Sequence, residues 1–99
     1  MANPNVEIFA VEPEASQSLS GGVEGIHPLV GMGYGFIPPT LELTLYNGVV
    51  RVTAEEVYAL SDRLAKEEGL LVSDATAAAI SGAVEVAKRL GRGKTVVVV

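Results

Sequence analysis

The chain has 99 residues with no cysteine, no tryptophan and a single histidine. Lacking cysteine, it can form no disulfide and no thiolate metal site, and it has no thiol redox chemistry; this is consistent with the cytosol. His27 stands between Ile26 and Pro28 with only Glu24 as a nearby acid. One imidazole is too little for a zinc site, so it reads as a structural or solvent-facing residue and no metal is expected. Basic residues are scarce as well: 7 Lys and Arg against 12 Asp and Glu leave a formal net charge of -5, and no basic run exceeds Lys88-Arg89. That distribution excludes a nucleic-acid footprint. No apolar run approaches the ~18 residues of a membrane span, and "MANPNVEIFAVEPE" has no basic start followed by a long apolar stretch. The chain therefore reads as soluble and cytoplasmic, with no membrane partner.

What is present is apolar. Hydrophobic residues make up 48% of the chain and charged ones 19%, which implies a largely covered sheet or a surface reserved for a partner. Ninety-nine residues support one core, and no repeat or linker divides them, so residues 1–99 read as a single domain. The pattern predicts α/β architecture: a small, mostly parallel sheet of about three strands, near 6–12, 49–52 and 95–99, with two main helices near 54–68 and 75–90. Pro13 should stop the first strand, and "LLV" at 70–72 could form a brief extra one. The Gly- and Pro-rich residues 14–48 should hold little regular structure. Thr53 and Glu56 form a capping box, and Gly69 offers a left-handed stop. Val57, Leu60 and Leu64 share one face of the first helix. In the second, Ile80, Ala83, Val84, Ala87 and Leu90 are expected to face the core, and Gly82 with the alanines permits close approach to a neighbour. "TVVVV" at 95–99 is β-branched with no polar side, as in a sheet interior.

Chemistry-bearing constellations are few. Serines 16, 18, 20, 61, 73 and 81 lack a G-x-S-x-G elbow and an evident base; Ser73 or Asp74 is better read as a helix cap. Glu55-Glu56 and Glu67-Glu68 belong to a solvated helix face with Lys and Arg in reach. The start of the second helix, residues 73–76, offers hydroxyls and amides to an anion, a weak signal shared by all helices. "GVEGIHPLVGMGYGFIPP", residues 22–39, is the distinctive stretch. Gly31, Gly33 and Gly35 alternate with Met32, Tyr34 and Phe36, a spacing unlike the dinucleotide-binding G-x-G-x-x-G.

Taken in order, "NPNVEIFAVEPEASQSLSGG", "GIHPLVGMGYGFIPP", "RVTAEEVYALSDRLAKEEGLLV" and "AVEVAKRLGRGKTVVVV" resemble the later part of the catalytic chain of cysteine synthase. That is the O-acetylserine sulfhydrylase branch of the fold-type II pyridoxal-phosphate enzymes, and the resemblance covers essentially the whole chain. It implies a partial fold-type II large domain in which Gly31, Gly33, Tyr34 and Gly35, with Phe36, form a loop beside the cofactor and substrate pocket. Tyr34 stands where many members carry a small residue. Ser73-Asp74-Ala75-Thr76-Ala77-Ala78 replaces the family's Gly-Ile-Ser-Ser-Gly-Ala and is closer in style to the threonine synthase branch. The resemblance further implies that the Schiff-base lysine, the substrate-binding Ser/Thr-Ser-Gly-Asn loop, the phosphate loop and the serine at the pyridine nitrogen have no counterpart among these residues; none of Lys66, Lys88 and Lys94 matches the lysine.

Three functional classes follow. The first is a non-catalytic, self-associating domain with no cofactor of its own. The second is one part of a split enzyme, carrying out β-replacement on an activated serine once a complementary chain is supplied. The third is a small binder of an anion or amino acid at residues 31–36 or 73–76. The expected partner is a second copy or a complementary chain.

Overall fold

The computed structural model describes residues 3–99. Two strands, β1 (Phe9–Pro13) and β2 (Gly48–Val52), pair in parallel with Phe9 opposite Gly48 and Pro13 opposite Val52. Asn47 fixes the start of the ladder: its N–H donates to Ile8 O and its Oδ1 accepts from Ile8 N–H. The N–H of Glu14 closes the other end on Val52 O at 2.8 Å. Pro13 occupies the last rung, so β1 lies slightly later than the 6–12 that the sequence suggests.

β2 leads into α1 (Ala54–Arg63) through the anticipated capping box, in which Thr53 Oγ1 accepts from Glu56 N–H and Glu56 Oε2 from Thr53 N–H. The last turn, Leu64–Glu68, is π-helical, and Gly69 ends it at φ 68°. Exposed i,i+4 pairs, Lys66 with Asp62 and Arg63 with Glu67, line this end. α2 (Asp74–Leu90) starts at Ser73, whose Oγ accepts from Thr76 N–H at 3.2 Å.

α2 packs on both strands and on α1. Leu29, Val52, Val57, Ala77 and Ala78 form the buried cluster, flanked by Val11, Met32, Ala54 and Val72. At Gly82 the helix lies so near the sheet that a Cβ would stand 2.5 Å from Val11 Cγ2.

Three expectations change. Residues 95–99 form no strand; Val97 is 81% exposed. β-branching favours extended backbone but supplies no ladder, and no strand lies beside this segment to give one. The sheet therefore has two strands among the described residues, not about three, and "LLV" at 70–72 is likewise unpaired. The face of α2 is also rotated. Ala77, Ala78, Gly82 and Val86 are buried, while Val84 and Leu90 remain 42% and 38% exposed. A helix apolar on several sides has no unique inner face, and the side with the smallest residues lets backbone and sheet come nearest.

Gly82→Ala tests this packing. Alanine would gain about 1 kcal/mol of helix propensity in the open, but Val11 is stiff at χ1 and cannot swing aside. Net destabilisation of about 1–3 kcal/mol is expected from urea unfolding, with recovery on adding Val11→Ala.

Candidate functional site

The site begins at the carboxyl end of β1. Glu12 is only 3% exposed, yet its carboxylate is provided for. It accepts from Leu19 N–H at 2.8 Å and from the Ser20 hydroxyl, and Arg51 Nε lies 4.0 Å away. Arg51 also donates to Ser20 Oγ, at 3.3 Å from Nε and 3.1 Å from a terminal nitrogen. Glu12 and Arg51 face each other in the strand register, so one charge-assisted network binds both strands to the turn after β1. Sequence reasoning missed Glu12. The available signal was one acid and one arginine at matching places in two otherwise apolar strands.

From that turn the chain reaches residues 27–36, which are tied to the body at close intervals. His27 Nδ1 accepts from Leu29 N–H at 3.2 Å, and Nε2 lies 2.6 Å from Gly33 O. A carbonyl only accepts, so the ring proton resides on Nε2 and the imidazole is a neutral strut across the loop. Leu29 enters the core, and Tyr58 Oη donates to Pro28 O at 3.4 Å. Val30 N–H donates to Asp74 Oδ2 at 3.2 Å, which attaches the loop to the first residue of α2. Gly33, at φ 61°, has no room for a side chain: a Cβ would meet His27 Nε2 and Pro13 Cγ, each at 2.5 Å.

The sequence-predicted residues Gly31, Gly33, Tyr34 and Gly35 thus share one ordered turn, and all three glycines have positive φ, a conformation that L side chains resist. Tyr34 Oη donates to Gly31 O, and its ring stacks on Phe36 with centroids 5.9 Å apart. Both rings are more than half exposed. The start of α2 beside this turn is filled from within. Ser73 caps Thr76, and the Asp74 carboxylate lies there, placing negative charge where an anion would sit. Asp74 therefore serves as the loop's anchor, a role that its position as a possible cap does not reveal. Among the described residues no group of three His, Cys, Asp or Glu could hold a metal, and no helix is long and apolar enough to cross a membrane.

Away from the loop, an open groove of about 710 Å³ runs between β2 and the two helices, with Val49, Leu60 and Val84 in its walls and Arg63, Lys88 and Arg89 among its charged lining.

A family model described as "Pyridoxal-phosphate dependent enzyme" matches residues 1–99. The chain belongs to this family. Within the pyridoxal-phosphate-dependent enzymes, a cysteine synthase of Staphylococcus aureus (strain N315) is 51% identical over 96 residues, taking in 97% of this chain and 31% of that protein. A probable cysteine synthase of Bacillus subtilis (strain 168) is 45% identical over 94 residues, 95% of this chain and 30% of that one. Among solved structures, an O-acetylserine-dependent cystathionine β-synthase from Helicobacter pylori matches with a TM-score of 0.82 and 39% identity over 91% of this chain and 29% of that chain. A cysteine synthase from Entamoeba histolytica matches with a TM-score of 0.83 and 26% identity, covering 86% and 25%. The fold is thus that of part of a fold-type II enzyme, and the departure at residues 73–78 does not remove the chain from the neighbourhood of cysteine synthases. The chain spans under a third of the length of these relatives.

The residues present do not by themselves fit pyridoxal phosphate, whose covalent attachment needs a neutral lysine amine. Lys66 lies 2.8 Å from Asp62, and the hydrogen bond and charge of that carboxylate raise its pKa, holding it protonated. Lys88 belongs to the groove, and Lys94 is exposed beyond α2. What residues 31–36 present is a glycine-lined turn, held by hydrogen bonds to His27 and, through Val30, to Asp74.

Two substitutions separate the supports of that turn. His27→Ala removes two hydrogen bonds and should cost about 1–3 kcal/mol in urea unfolding, with helical circular dichroism unchanged below the transition. Gly33→Ala should cost at least as much, because its backbone conformation and its space both reject a Cβ.

Proposed function

We propose that the chain acts as a non-catalytic domain of cysteine synthase type that associates with further copies of itself, and that residues 31–36 form one wall of a cofactor and amino-acid pocket. The supporting observation is the amount of large apolar surface left uncovered: Val23, Ile26, Val30, Leu43, Leu45, Leu71 and Val97 are all exposed, along with Val84 in the groove. Uncovered apolar surface in this amount favours burial against a partner. The membership in a pyridoxal-phosphate-dependent family and the turn at Gly31, Gly33 and Gly35 support the pocket wall; glycine backbone can approach a flat ring closely. Bound cofactor and the replacement of an activated serine's β-substituent would need a lysine and a phosphate-binding loop from a complementary chain. A cytoplasmic setting agrees with the absence of cysteine.

Light scattering after size exclusion, with pyridoxal phosphate added and absorbance followed, tests this reading. The expected result is a mass at least twice that of the 10.3 kDa chain, no stoichiometric cofactor band, and no cysteine formed from O-acetylserine and sulfide. A monomer at high concentration overturns the association, and cofactor binding with turnover by the chain alone overturns the non-catalytic assignment.

A further inference from the structure

We infer that His27 is a proton-operated catch on the glycine turn: the neutral ring holds Gly33 to the segment before it, and the imidazolium lets it go. The inference stands apart from self-association and from cofactor binding. Each ring nitrogen faces a backbone group. Nδ1 accepts from Leu29 N–H at 3.2 Å, and Nε2 donates to Gly33 O at 2.6 Å. Only the tautomer with its proton on Nε2 makes both bonds. The imidazolium carries a proton on each nitrogen, so its Nδ1–H would point at the Leu29 N–H, donor against donor. Leu29 is held by its buried side chain, so the ring is the part that moves. Both nitrogens belong to one rigid ring, and turning Nδ1 off Leu29 also displaces Nε2 from Gly33 O. The fit there is close: a Cβ on Gly33 would stand 2.5 Å from both Nε2 and Pro13 Cγ.

The charged and titratable groups around the ring have other partners or stand off from it. Glu14, in the turn after β1, lines with His27 a cavity of about 230 Å³ that also includes Thr53 and Ala54. In α1, Glu56 accepts from Thr53 N–H and Tyr58 donates to Pro28 O. Asp74 of α2 accepts from Val30 N–H, and Glu24 precedes His27 on its own segment. Among the described residues no ion pair includes the imidazole, so the charged ring loses Leu29 without gaining a carboxylate. Imidazole is also the side chain that ordinarily changes charge in mildly acidic solution. Acidification is thus expected to loosen the turn at Gly33 while Asp74 still holds Val30.

Nuclear magnetic resonance of the chain between about pH 7.5 and 5.5 tests this. At the upper end the ring proton is expected on Nε2. On acidification, protection of the Leu29 amide, corrected for intrinsic exchange, should fall about five- to tenfold relative to Val30, as for one lost hydrogen bond. The Gly33 and Gly35 amide shifts should move with the same midpoint as the His27 ring protons. His27→Gln, with helical circular dichroism retained, should abolish these changes, and Glu14→Gln should leave them in place. A ring proton on Nδ1, or titration of His27 with Leu29 and Gly33 unaffected, overturns the catch. So does the same acid response in His27→Gln, or its loss in Glu14→Gln. Should His27→Gln lose its helical signal, the wild-type midpoints decide: agreement supports the catch and disagreement overturns it.

Discussion

The contact between Gly82 of α2 and Val11 of β1 governs the rest of this structure. With two strands and two helices among the described residues, there are few places to bury apolar surface, and the smallest side chains bring one helix down onto the sheet. That approach seats Ala77 and Ala78 against Val52 and Val57. It also decides which side of α2 turns outward, so the larger Val84 comes to line the groove beside β2. Core and uncovered surface are thus two results of one packing choice.

The candidate wall depends on the same choice. The first turn of α2 carries Asp74, and Asp74 holds Val30; moving the helix would move the loop. From the other side, Glu12, Ser20 and Arg51 hold the turn that feeds the loop, while His27 spans it from Leu29 to Gly33. Gly31, Gly33 and Gly35, all at positive φ, lie in a segment tied by hydrogen bonds at His27, Val30 and Tyr34. Contacts within the chain hold residues 27–36 in place.

Much of this was legible in the sequence because it depends on near neighbours. The capping box at Thr53 and Glu56, the stop at Gly69, the cap at Ser73 and the close approach at Gly82 follow from residues a few positions apart or from one missing side chain. The loop's family resemblance also rests on contiguous motifs. The unread features depend on distant partners. Residues 95–99 have every local mark of a strand, but a strand exists only where another lies beside it. The inner face of α2 is decided by the sheet rather than by its own ambiguous periodicity. Asp74 and Glu12 become meaningful only when residues 44 and 8 positions away, Val30 and Ser20, arrive beside them.

Amide hydrogen exchange at Leu29 and Val30 tests most directly the claim that α2 and the loop form one unit. Both amides are predicted to be protected in the isolated chain without added cofactor, and to lose protection together when Gly82→Ala lifts α2 from Val11. Exchange of these amides at the rate of an unfolded peptide in the wild type, or protection that persists when the helix is displaced, would contradict the account.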